Sequence, residues 1–322
     1  MNDRAQLQVP GYTALIYRFE RYLRVHGRTE KTFSSYSRYI AVLSLHFGCI
    51  PTQLQPEQIH DYLFALQKKS PIPSLSYFKH TVYSLRLLLK CEDLPNSFLQ
   101  LPSIPKVVKL PVVLSKNEIW HMLSCCQTMK HKLMLGLLYG CGLRNQELRR
   151  LQVSDLDVDR LQLRITLTKS RKDRYVPLPQ HLLPEIQSYL ESIPHQKLLF
   201  ESPYPTPTPV ISNQSLLFEH MQTTVVLKAE SYSQREIQRI VKVYAQRAGI
   251  RKTVTVHSLR HSFATHLIED GADILTVQQL LGHQSLRSTL VYLQVAQRQW
   301  SLAVSPLDRL YEQFAPAAGM VT

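Results

Sequence analysis

A chain of 322 residues with 44% apolar side chains is long enough for two ordinary domains with real hydrophobic cores, which excludes a mainly disordered protein. Thirty-eight Lys and Arg against 24 Asp and Glu give a formal charge of +14, the balance expected of a protein that meets a polyanion, nucleic acid first. No apolar run approaches the roughly 20 residues needed to cross a bilayer, residues 1–10 are too polar for a signal peptide, and the five cysteines form no C-x-x-C pair, so the expectation is a cytoplasmic chain without disulfides or structural zinc.

From residue 11 to 94 apolar residues return at three- and four-residue intervals, and four helices fit. They run about Tyr12 to Val25, Glu30 to Phe47, after Pro56 to near Lys69, and Ser74 to Lys90; Pro56 sits where a first turn would be, and proline is tolerated there. Residues 95–112 hold Pro95, Pro102, Pro105 and Pro111 between lysines and read as an extended interdomain linker. A second domain, 113–322, opens with Ser115 and Glu118, the S-x-x-E signature of a capping box, which predicts a helix towards Gln127. Another helix, about His131 to Tyr139, ends at the glycines of Gly140-Cys141-Gly142. Leu161, Leu163, Ile165 and Leu167 alternate with polar residues as a half-buried strand does, and a polar turn from Lys169 to Asp173 leads to a second strand at Arg174 to Leu178. The result is a β-hairpin with a basic tip. The proline-rich stretch 203–230 reads as a loop or insertion carrying a small hairpin or helix, and helical periodicity resumes after Ser233, again followed by Glu236 in a capping pattern.

Reactive side chains concentrate late in the chain. His257 and Arg260 are three apart and share a helix face, so both can aim at one phosphate. His257 and His261 have the i, i+4 spacing of metal ligands but lack the acidic residue of an H-E-x-x-H site. Earlier, Gly140-Cys141-Gly142-Leu143-Arg144 delivers an arginine to a helix start, a place that suits an anion, although a pairing of Arg144 with Glu147 is the plainer reading of that motif alone.

Taken together these motifs resemble the tyrosine recombinase, or phage integrase, family over nearly the whole chain. Members carry G-x-G-L-R-x-x-E-L, a basic hairpin with a lysine, H-x-L-R-H-x-x-A-T-x-L, L-G-H, and a tyrosine nine residues after that last histidine. Here Arg144, Lys169, His257, Arg260, His283 and Tyr292 fill those positions in order, with Ala264 and Thr265 also in place. The resemblance implies a mainly α fold with a small antiparallel β-sheet (α+β). It further implies an N-terminal four-helix, SAM-like core-binding domain and a C-terminal catalytic domain, forming a clamp around double-stranded DNA. It assigns Tyr292 as the nucleophile left joined to a 3′ phosphate, Arg144 and Arg260 as oxyanion holders, His257 as general acid/base near the nucleophile, and His283 as a hydrogen-bond donor to the phosphate. Lys169 protonates the departing 5′ oxygen. A phosphotyrosyl bond conserves the energy of the bond it replaces, so neither ATP, a metal nor any other cofactor is expected. A homotetramer on DNA, from protein that is monomeric when free, is implied, with the protein associated with the nucleoid.

The hairpin departs from the family's K-G-x-K-x-R, reading Lys169-Ser170-Arg171-Lys172-Asp173-Arg174, which makes Lys172 a rival for the general acid. The long 203–230 stretch has its parallel in integron integrases, which act on folded single-stranded sites. Arg18, Arg21, Arg24, Arg28, Lys31 and Arg38 make the first two helices basic, and Lys79, His80 and Arg86 lie on the fourth; phosphate contacts and a solvated face both account for them. After Trp300, Leu307, Leu310, Tyr311 and Phe314 at helical spacing form a candidate docking tail. The alternatives are a type IB topoisomerase, which uses a similar residue set on one duplex, and a DNA-binding regulator with a dead site. All six filled positions argue against the second.

Overall fold

Five helices fill the first part of the chain in a computed structural model, whose structure describes residues 1–68, 74–95, 97–104, 110–166, 173–203, 206–210, 224–228 and 230–296. Two units are resolved, Met1–Val108 and Lys109–Thr322. In the first, α2 (Tyr12–Val25), α3 (Glu30–Phe47), α4 (Pro56–Lys68) and α5 (Ser74–Cys91) match the helices expected from the apolar spacing. They are preceded by α1 (Asn2–Gln8), too short and polar to carry a periodic signal. Long-range hydrogen bonds stabilise it instead: Asn2 Nδ2 donates to Ser37 Oγ at 2.8 Å and the Tyr12 hydroxyl donates to Asn2 Oδ1 at 2.9 Å.

Helix α3 starts where Thr29 accepts from the Thr32 amide and stops at Gly48, whose φ of 71° is in the left-handed region. It feeds two apolar clusters. Ile40 packs with Phe19 and Leu88, and Leu43 packs with Ile59, Leu85 and Leu89, so α3 and α5 form the spine of the unit. Each fully buried side chain of this size stabilises by about 1.5–3 kcal/mol relative to its exposed state.

The second unit contains α6 (Lys116–Ser124), α7 (Met129–Gly140), α8 (Asn145–Arg150), β1 (Leu156–Asp157), β2 (Gln162–Ile165), β3 (Arg174–Pro177), α9 (Leu183–Glu191), β4 (Thr206–Val210), β5 (Thr224–Lys228), α10 (Gln234–Arg247), α11 (Val256–Glu269), α12 (Ile274–Leu281) and α13 (Arg287–Leu293). Both expected capping boxes form, Ser115 with Glu118 and Ser233 with Glu236. Helix α7 is buried on nearly all sides through Leu133, Met134, Leu135, Leu137 and Leu138, which makes it the axis around which the other helices pack.

The two expected strands pair antiparallel, Leu163 opposite Val176 and Ile165 opposite Arg174, and β1 adds a third strand against β2. Alternation turns Leu163, Ile165 and Val176 into the core and brings Arg174 inward with them. Lys169 and Lys172, of the expected basic tip, lie outside the described residues, as does the candidate docking tail from 297 onward. Within the 203–230 stretch, β4 and β5 pair as an antiparallel ribbon, Thr206 opposite Lys228. The architecture is thus mainly α with a small antiparallel sheet, as expected. No described helix is long and apolar enough to cross a membrane.

Candidate active site

Three segments far apart in sequence converge beside α7: the turn into α8, the first turns of α11, and the link from α12 into α13. Each is shaped by a local signal. Gly142, at φ 59°, reverses the chain after α7 so that Arg144 becomes the N-cap of α8. Thr255 caps α11 by accepting from the Ser258 amide, which starts the helix at Val256 and turns Arg260 inward. Gly282, at φ 61°, ends α12 and releases His283 into the site.

Glu147 is the organising group. Its carboxylate, 6% exposed, accepts from Arg144 Nη1 at 2.7 Å and from the Arg144 amide at 2.8 Å. Arg174 approaches from β3 in a fork, its Nη1 and Nη2 3.0 and 2.9 Å from the two oxygens, while its Nε donates to Leu280 O. Arg260 Nη1 lies 3.8 Å from the same carboxylate and donates to Gly142 O at 2.6 Å; its Nη2 donates to Leu281 O. Burial alone would raise Glu147, but hydrogen bonds and charge from Arg174 and Arg144 hold it down at about 2. For Arg260, burial and Arg144 press against the charge while Glu147 supports it. Three guanidiniums around one carboxylate leave a net positive, partly preformed anion cradle. Arg144 is its most open member, and its Nη2 also reaches Gly282 O at 3.3 Å.

Across from the cradle, Tyr292 on α13 is 2% exposed. Its ring lies nearly parallel to that of His283, centroids 6.3 Å apart, and its hydroxyl is 3.1 Å from His261 Nδ1. Burial raises its pKa while Arg260 and Arg144 oppose the rise, so the phenol stands within electrostatic reach of both arginines. His283 Nδ1 pairs with Thr289 Oγ1 at 2.9 Å, and burial followed by Arg260 and Arg144 lowers His283 to about 4. His257 sits on the exposed side of α11; desolvation, Arg260 and Arg144 lower its pKa too.

Five of the six residues read from sequence, Arg144, His257, Arg260, His283 and Tyr292, therefore gather in one region, and Lys169 lies outside the described residues. Arg144 does pair with Glu147, the plainer reading of its motif, yet that pairing anchors it in the cradle rather than removing it. The contacts of two further residues were not drawn from the sequence. Arg174 passed as a strand residue, although a charged residue at an inward strand position was a signal of a buried partner. His261, the last residue of the H-x-L-R-H motif and given no role from the sequence, is the group that touches the Tyr292 hydroxyl. Among the described residues no cluster of three or more His, Cys, Asp or Glu is placed to hold a metal ion.

Residues 112–299 match the model of the phage integrase family. The chain belongs to the phage integrase family. It is similar to the tyrosine recombinase XerA of Thermococcus kodakarensis, 34% identical over 87% of this chain and 90% of the relative, and to an integrase/recombinase of Escherichia coli, 32% identical over 90% and 91%. Solved structures share its fold: a lambda integrase tetramer bound to a Holliday junction (TM-score 0.66, 16% identity, covering 92% of this chain and 82% of that one), and XerH bound to palindromic difH substrate in a post-cleavage complex (TM-score 0.62, 19%, 87% and 78%). The protein is accordingly a tyrosine-type site-specific DNA recombinase.

Proposed function

We propose that Tyr292 is the nucleophile of this recombinase and that strands are broken and rejoined through a 3′-phosphotyrosyl bond. The observation that carries the reading is a buried phenol within electrostatic reach of two guanidiniums, those of Arg144 and Arg260, whose charge the single Glu147 carboxylate offsets only in part. A phosphodiester seated on them gains charge as phosphorus becomes five-coordinate, and fixed positive groups in a partly dry site stabilise that charge without reorganising. A hydroxyl with a reference pKa near 10 needs both such a target and a base before it attacks at neutral pH. His283 donates to a non-bridging oxygen, His257 handles protons at the solvent edge, and Lys169, with Lys172 as the alternative, protonates the 5′ oxygen as it leaves.

The same reading gives residues 11–94 the role of a core-binding domain, residues 95–112 that of a linker, and residues 113–322 that of the catalytic domain, with 203–230 as its insertion. Double-stranded DNA is the substrate, and four copies act together on two duplexes in the cytoplasm, at the nucleoid. Support for four copies comes from the similarity in fold to the tetramer seen with lambda integrase. The test uses a nicked DNA that traps the covalent product. The wild-type chain should form a protein–DNA adduct, and Tyr292→Phe should form none while binding the same DNA within a few-fold. An adduct on Tyr292→Phe refutes the assignment.

A further inference from the structure

We propose that His261 is the immediate proton acceptor of Tyr292, so that the two side chains together form the nucleophilic unit; this rests on the reading of Tyr292 given above. The Tyr292 hydroxyl is 3.1 Å from His261 Nδ1, within hydrogen-bond reach for direct transfer. Because the phenol is 2% exposed, bulk water does not stand at its oxygen to take the proton. His257 comes one turn earlier on α11, its ring centroid 6.3 Å from that of His261, and opens to solvent. A proton passed to His261 therefore lies one helical turn from an imidazole that is open to water.

The groups facing His261 are His257 and Arg260 from its own helix, Tyr292 from α13, and His283 from the turn after α12. Burial, then His257 and Arg260, lower His261 to about 4, so at neutral pH it is an uncharged imidazole able to accept the phenol's hydrogen. An anionic phosphodiester on Arg260 offsets one of the charges that hold it down. His261 is thus a stronger base with a phosphate seated than without one, which ties phenol activation to the presence of its target.

The step balances within the site. The phenol O–H bond breaks as an N–H bond forms on His261 Nδ1, the phenolate oxygen bonds to phosphorus, and the bond from phosphorus to the 5′ oxygen breaks with its electron pair going to that oxygen, which takes a proton from the general acid. On rejoining, a 5′ hydroxyl attacks phosphorus and gives its proton back to the general acid, the phosphorus–phenolate bond breaks with its electron pair going to the Tyr292 oxygen, and that oxygen recovers the proton from His261.

The experiment compares full-length His261→Asn and His261→Ala with the wild type and Tyr292→Phe in adduct formation on the nicked DNA. Asparagine keeps a hydrogen-bonding group near the Nδ1 position but takes no proton. We expect DNA affinity within two-fold of wild type and an adduct rate lowered by about 100-fold, the usual scale of a lost general base. Added imidazole should restore much of the His261→Ala rate, with a pH profile that follows the imidazole. A DNA whose bridging 5′ oxygen is sulfur, which leaves without a proton, should not restore His261→Asn. Wild-type rates in His261→Asn, or a His261→Ala defect that imidazole does not touch, overturn the role given to His261 while a dead Tyr292→Phe leaves the nucleophile standing. Adduct formation by Tyr292→Phe overturns both.

Discussion

Around Glu147 three guanidiniums are fixed by one buried carboxylate and by backbone carbonyls, whereas the close neighbours of the Tyr292 phenol are imidazoles held neutral by burial and by those same arginines. The first side is rigid and charged. The second is neutral and joined by single hydrogen bonds, Tyr292 to His261 and Thr289 to His283. The difference suits the roles proposed for the two sides: charge that stabilises a transition state is effective only if it is in place beforehand, while groups that exchange protons must lie close to a change of charge state.

Removing the carboxylate breaks the charged side most directly. Glu147→Gln leaves Arg174 and Arg260 buried without their anion, and the loss of one partner of such a network costs about 3–5 kcal/mol. Urea denaturation should show a loss of that size, and adduct formation should fall with it even where the variant remains folded. A stability change under about 1 kcal/mol would mean that the backbone carbonyls alone hold the cradle.

A smaller break comes from Gly142→Ala. The left-handed φ of 59° disfavours a side chain, and an added Cβ would overlap the Phe263 ring, so backbone strain and overpacking together should cost about 2–3 kcal/mol. Because Gly142 O accepts from Arg260, the same change should slow adduct formation more than it weakens DNA binding. Equal losses in both would place its effect on folding alone.

These residues also mark how far the sequence can be read. Helices bounded by Thr29, Ser115, Ser233 and Gly48 were legible because caps and apolar spacing are local signals. The Arg144, Arg260 and Tyr292 set was legible through motif spacing. Arg174 and His261 stand inside the quoted hairpin and H-x-L-R-H patterns, but their partners, Glu147 and Tyr292, lie 27 and 31 residues away, and no local pattern encodes those approaches. Helix α1 and strand β1 were missed for the same reason, being two to seven residues long and held by neighbours distant in sequence.

Acid separates the two sides of the site by pH window. His261 and His283 fall from an ordinary 6.5 to about 4 in the folded chain, so the unfolded chain takes up protons first, and their contribution to stability, full above 6.5, is lost as pH falls towards 4. Glu147 falls from 4.5 to about 2, so its contribution is present above 4.5 and disappears as pH falls towards 2. Denaturation measured across pH should therefore show two declining limbs. His283→Gln should make the upper limb shallower, leaving the share of His261, and Glu147→Gln should flatten the lower one. A variant that flattened both would show that the two sides titrate as one network.

The mildest change sharpens the neutral side. Thr289 is fully buried, and its hydroxyl is the partner of His283 Nδ1. With that hydroxyl donating, the imidazole proton resides on Nε2, the nitrogen free to donate to a phosphate oxygen. Thr289→Val keeps the shape and removes the hydrogen bond, so stability should drop by about 1 kcal/mol. The effect on adduct formation should be larger in proportion, about ten-fold, because the wrong tautomer presents a lone pair to an anion where a donor is needed. If the rate is unchanged, the orientation of His283 is set by its stacking on Tyr292 instead, and the neutral side owes its geometry to ring packing rather than to a hydrogen bond.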